Sequence, residues 1–121
     1  MKRPPPPPET FLPLKAHWFH VLLSLADQEQ HGYGIMLEVL DRTGGKVRLW
    51  PATLYGTLKR LIHENLIEES DDRPALDDAR RRYYRLTRFG RRVLAAEGAR
   101  LEDLVRVIHA KRGIPERKAE S

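Results

Sequence analysis

The stretch from Trp50 to Ser70, WPATLYGTLKRLIHENLIEES, changes its periodicity partway along. Leu54, Leu58, Leu61 and Ile62 recur at helical spacing behind a proline, and NLIEES then reads as extended chain. Proline is favoured at the first helical position, where its missing N–H costs nothing. A helix from about Pro51 to Glu64 that runs directly into a strand constrains the rest of the fold. The chain before it must cover the leucine face, and the chain after it must pair the strand.

The strand partner is RRRYYRLT, Arg80 to Thr87. Between them lies DDRPALDDA, an aspartate-rich loop with Pro74 that is too long for a tight hairpin turn. Upstream, Trp18, Leu22, Leu25 and Ala26 share one face of a helix over about Lys15–Asp27, and Phe19 and Leu23 widen that face. QEQHGYG connects it to a second helix, about Tyr33–Arg42, which carries Ile35, Met36, Val39 and Leu40. TGGK ends that helix with a glycine pair, and a short extended VRLW leads to Pro51.

The last element runs from about Arg88 to Lys111. Leu94, Leu101 and Ile108 are seven apart, and Val93, Leu104 and Val105 broaden the stripe. That stripe exceeds what a small body must cover, so a coiled-coil-like seam with a second copy is expected. The competing arrangement folds the helix back on its own core. The predicted class is α+β, mostly α: a winged helix-turn-helix of three helices and a two-stranded wing, with a long C-terminal dimerisation helix. The expected divisions are a disordered proline-rich tail (1–10), the winged domain (11–87), the dimerisation helix (88–113) and a flexible tail (114–121). Pro4 to Pro8 should adopt polyproline II within the first of these.

The outward face of the third helix holds Thr53, Gly56, Thr57, Lys59, Arg60 and His63, with Tyr55 at its edge. A solvated face usually mixes in several acids, yet only Glu64 occurs, at the far end. Gly56 in mid-helix costs about 1 kcal/mol relative to alanine, and it lets another backbone come close. The functional reading is a recognition helix in a major groove; the competing one is plain solvation. The whole chain is basic, with formal charge +5 and 16 arginines among its 22 Lys and Arg. Such a balance favours polyanionic partners. Seven arginines fall between Arg80 and Arg92. Glu68 and Glu69 on the neighbouring strand can pair with Arg82 or Arg85. Asp71, Asp72, Asp77 and Asp78 can absorb others, which leaves Arg80, Arg81 and Arg82 as the wing residues expected to reach DNA.

With these elements in order, the chain resembles the PadR family of bacterial transcriptional regulators. The matching motifs are HGYGIMLEV (His31–Val39), PATLYGTLKRLIHENLIEE (Pro51–Glu69) and RRRYYRLTRFGRRVL (Arg80–Leu94). The resemblance implies a dimeric repressor on a pseudo-palindromic operator, joined through its last helix at Val93, Leu94, Leu101, Leu104, Val105 and Ile108. It implies that Thr53, Tyr55 and Lys59 face DNA and that Tyr33 lies near the phosphate backbone. With Gly56, Thr57, Arg60 and the three wing arginines, these form the predicted interface.

Family members usually carry a small residue before the proline and glycine after it, where this chain has Trp50 and Ala52. Trp is a poor N-cap because it supplies no acceptor. Either its neighbours support the helix start, or Trp50 packs on the first helix or the wing. Drug-binding members place a Trp on the terminal helix, and this chain has none between Phe89 and Gly113. The apolar space between the terminal helix and the first (Trp18, Phe19, Leu101, Val105) is a candidate effector pocket, with plain core as the competing reading.

Other chemistries find little support. Cysteine is absent, which removes disulfides and thiolate metal sites and suits a reducing cytoplasm. No apolar run approaches the roughly 20 residues of a membrane span, and MKRPPPPPE lacks the apolar region of a secretory signal. His17 and His20 fall on one helical side without a third ligand, so no metal or other cofactor is expected. DDRPALDD lacks the burial that acid–base work needs, and no phosphate loop or nucleophile elbow occurs, so no enzyme is expected. The alternative function is a winged-helix protein-interaction module without specific DNA binding.

Overall fold

The computed structural model describes residues 4–70 and 81–117. Four helices carry most of the chain: α1 (Ala16–Ser24), α2 (Gly32–Arg42), α3 (Pro51–His63) and α4 (Arg88–Ala110). Three short strands, β1 (Gln30–His31), β2 (Ile67–Ser70) and β3 (Tyr83–Leu86), form one antiparallel sheet with β3 in the centre. The winged helix expected from the sequence is therefore present, with one more strand than the expected pair. β1 is two residues long and sets Gln30 opposite Tyr84 and His31 opposite Tyr83. Two residues carry no alternation, which is why the connector concealed them.

The core collects the inward side of every helix. Val21, Leu22, Leu25, Ile35, Val39, Leu54, Leu58 and Leu61 are sealed from water, joined by Leu49, Leu66, Ile67 and Val93. Apolar burial of this kind is the main force that holds such a body together. α2 is started by His31, whose Nδ1 accepts from the Gly34 N–H at 3.1 Å. It is stopped at Gly44 and Gly45, both at positive φ, where glycine carries no steric penalty.

Two expectations need correction. Val93, expected in the dimer interface, is fully buried in the core, and Leu94 is partly buried against the same core. The heptad-like stripe is divided between two tasks: the first turns of α4 close the domain, and the stretch from Leu101 onward projects from it. The proline-rich tail also differs from a disordered segment. Pro8–Phe11 forms a 3₁₀ turn whose Phe11 packs edge-on against Phe89, with ring centroids 5.8 Å apart. Proline is tolerated at the start of a helical turn, and Phe11 supplies the anchor. Met1–Arg3 and residues 118–121 lie outside the described residues.

A second anchor lies just beyond it. The Leu14 N–H donates to Glu97 Oε2 at 2.8 Å, and Glu97, buried in α4, also takes a hydrogen bond from Arg100. The Arg100 guanidinium holds the Glu97 carboxyl below the usual glutamate range, although burial pushes the other way.

The junction of β3 and α4 is tightly made. Thr87 Oγ1 accepts from the Gly90 N–H at 2.9 Å and donates to the Asn65 carbonyl at 2.7 Å. The Thr87 N–H donates to the Leu66 carbonyl at 3.1 Å. A Cβ on Gly90 would stand 2.0 Å from that same Leu66 oxygen.

Gly90→Ala should therefore destabilise the protein by about 3 kcal/mol, since backbone must move to admit the methyl. Thermal unfolding monitored by circular dichroism measures this, and a melting temperature equal to wild type would refute the packing argument. Glu97→Ala should cost about 2 kcal/mol at neutral pH by orphaning a buried N–H. Because the folded-state pKa of Glu97 is depressed, its contribution is whole above the glutamate range and is lost as pH falls through it. The gap in melting temperature between wild type and Glu97→Ala should narrow from pH 7 towards pH ~3.

Candidate nucleic-acid interface

α3 carries no acidic residue from Pro51 to His63. Its leucines take the core side, which leaves Ala52, Gly56, Lys59 and His63 along the outward ridge. Gly56 faces open space, with no atom within 4 Å of where a Cβ would sit. Two small residues in the middle of an exposed basic ridge let another molecule come near the helix backbone while Lys59 reaches past it. Arg60 is exposed and Thr53 half-buried on one flank; Tyr55, 55% exposed, stands on the other.

Thr57 and Ile62 exchange the places expected of them. Thr57 is buried, and Ile62 is exposed. Thr57 and Trp18 line the same shallow surface between α1 and α3. A helical wheel shows which residues share a face but not which neighbour each flank meets. Thr57 is thus removed from the predicted contact set, and Ile62 from the predicted core.

Tyr55 extends the surface towards the sheet. Its ring lies over Gly32, at the start of α2, where a Cβ would come within 2.9 Å of the Tyr55 hydroxyl. Tyr33, exposed on the first turn of α2, lines the same cleft with His31, Arg81, Arg82 and Tyr84. His31 Nδ1 accepts the cap bond, and Arg81 Nη1 lies 3.2 Å from the other ring nitrogen, Nε2, which ties the start of β3 to the start of α2. His31 was not among the predicted contacts; the HGY sequence was the available signal, since it puts a ring at the N-terminus of α2.

The wing arginines divide. Arg82 pairs with Glu69 at 3.1 Å, while Arg85 pairs with Glu68 at 2.9 Å and lies 3.6 Å from Glu29. The cross-strand pairing anticipated from the sequence is therefore formed, and Arg82 is engaged where it was expected to be open. The exposed pair with Glu69 is a weak tie, of the order that surface ion pairs supply. Arg80 and the aspartates of the loop lie outside the described residues.

Of the residues around the candidate effector pocket, Trp18 and Phe19 pack partly buried against the core, while Leu101 and Val105 are exposed. Phe11 lies against Trp18, with ring centroids 6.4 Å apart, and Phe19 stacks edge-on with His20. Leu101 and Val105 are exposed on the projecting part of α4. Trp18 lines a shallow surface with Ala52, Thr53 and Gly56 of α3 instead. His20 is similarly occupied, by the Arg42 guanidinium at 3.2 Å, and burial ahead of that cation lowers its pKa.

A short sheet flanked by an outward basic helix, with a long helix projecting from the body, is the architecture of a winged-helix transcription regulator. The chain belongs to the Transcriptional regulator PadR-like family, whose model matches residues 21–96. It is 38% identical over 89 residues to Transcriptional regulator Rv3488 of Mycobacterium tuberculosis, covering 74% of this chain and 78% of that protein. A PadR family transcription regulator from Clostridium difficile shares the fold with a TM-score of 0.65 at 24% identity, over 78% of this chain and 96% of its own. RosR of H. salinarum does so with a TM-score of 0.60 at 26% identity, over 85% and 84%. The family consists of transcriptional regulators, which are not enzymes. No helix among the described residues is long and apolar enough to cross a membrane.

Gly32→Ala should displace the Tyr55 ring without unfolding the protein, because the crowded atoms end a movable side chain. The expected stability loss is about 1 kcal/mol by chemical denaturation, well short of the loss from Gly90→Ala. Equal losses at the two glycines would show that Tyr55 is held as rigidly as backbone.

Proposed function

We propose that this transcription regulator binds double-stranded DNA as a homodimer and represses from a pseudo-palindromic operator. The observation that carries the reading is the acid-free outward ridge of α3, with Lys59 at its centre, Arg60 beside it and Gly56 open for close approach. Lys59 and Arg60 would meet base edges, while Thr53, Tyr55, Tyr33 and Arg81 hold the phosphate backbone. Arg80 and Arg82 would complete the wing contact, Arg82 after exchanging Glu69 for a phosphate.

Dimerisation is assigned to the projecting part of α4. Leu101, Leu104, Val105 and Ile108 share one helical face and are exposed by 38–49%. A neighbouring apolar face of that size in water favours association. Two copies joined there would present two α3 ridges, which matches the symmetry of a pseudo-palindrome. Release by a small-molecule effector remains part of the reading. With Leu101 and Val105 outside the α1 cluster, a pocket would have to involve the projecting helices.

A gel-shift or anisotropy titration with the region upstream of the protein's own gene tests the main claim, and affinity no better than for random duplex would sink it. Lys59→Ala should lose about 1–3 kcal/mol of discrimination between cognate and altered sites. Arg81→Ala should weaken all duplexes alike and flatten the slope of log K against log salt by about 0.9. Leu101→Glu should convert a dimer at micromolar concentration into a monomer or an unfolded chain, as read by light scattering. A wild-type monomer under those conditions would overturn the dimer.

A further inference from the structure

Trp50 is the residue of this surface that the fold does not explain. It occupies the N-cap of α3, yet its side chain caps nothing, and it is 62% exposed. It packs neither into the core nor into the clefts beside α1 and the wing. Serine, threonine or aspartate in its place would satisfy a first-turn N–H and leave no apolar ring in water. A residue that breaks a local rule without a structural return marks a functional position.

The segment before it is built to present it. Residues 46–50 alternate: Val47 packs on the core and Leu49 is sealed inside it, while Lys46, Arg48 and Trp50 face outward. The segment is held by Thr43, whose Oγ1 accepts from the Val47 N–H at 3.0 Å and donates to the Val39 carbonyl at 2.7 Å. The Arg48 guanidinium lies over the Trp50 ring, 5.1 Å from its centroid. A cation in that position steadies the indole by cation–π attraction. The result is a flat apolar plate with the Arg48 cation against it, at the N-terminus of the helix that carries Ala52, Gly56 and Lys59.

We propose that Trp50 is a specificity contact to DNA: the indole packs on thymine C5-methyl groups in the major groove while Arg48 and Lys46 take the adjacent phosphates. This rests on the DNA-binding reading and deepens it. The occupant is a duplex rather than a protein because Arg48 lies against the plate and the exposed charges before and after it in the chain, Lys46, Lys59 and Arg60, are all positive. Of the groups in the major groove, the thymine methyl is the apolar one that an indole can bury.

The test uses two duplexes of A·T pairs in the same order, about 24 base pairs long, one with thymine and one with deoxyuridine throughout. The bases differ only by the methyl group. Full-length wild type should bind the thymine duplex about fourfold more tightly for each methyl buried. Trp50→Ser should bind both duplexes with equal affinity. That variant adds the cap acceptor which the indole lacks, so its melting temperature should not fall, and lost discrimination cannot be ascribed to misfolding. Tryptophan emission should change when wild type meets the thymine duplex, and should change much less in Trp50→Ser. The same methyl preference in both proteins would overturn the inference while leaving DNA binding intact. Failure of wild type to bind either duplex at low salt would overturn the DNA-binding reading and the inference with it.

Discussion

The close approach of Gly90 to the Leu66 carbonyl fixes the relation between the two ends of this molecule. Leu66 ends the connection from α3, and Gly90 lies in the first turn of α4. Thr87 ties them with its side chain and its backbone, so the basic ridge of α3 and the projecting helix meet through one short, rigid joint. Any side chain at position 90 would pry that joint open. The direction in which α4 leaves the body depends on this contact, and so does the spacing that two α3 ridges would have in a symmetric pair.

Much of the fold was legible in the sequence because its signals are local. The leucines of α3, Pro51 at its start and the glycine pair after α2 each act within a turn or two of the chain, and each falls where expected. The cross-strand pairing of Glu68 with Arg85 was legible for the same reason: opposite charges on facing strands are neighbours once the register is set. What escaped depended on distant partners. β1 exists only because β3 offers it an edge, and Val93 is core only because α4 starts so close to Leu66.

The site was legible to the same degree. Gly56, Lys59 and Arg60 are exposed, as their places on the helical wheel imply, while Thr57 is buried. Arg82 shows a second limit. Its charge is visible in the sequence, but whether that charge is already answered depends on Glu69, thirteen residues away in the chain and beside it in the fold.

The wing carries its counterions covalently. Arg82 and Arg85 are accompanied by Glu69, Glu68 and Glu29. A polyanion that takes either arginine must displace a tethered carboxylate, which stays nearby and repels it. The wing is thereby less adhesive towards arbitrary polyanions than its number of arginines suggests, and on the proposed reading discrimination would fall more heavily on the ridge of α3.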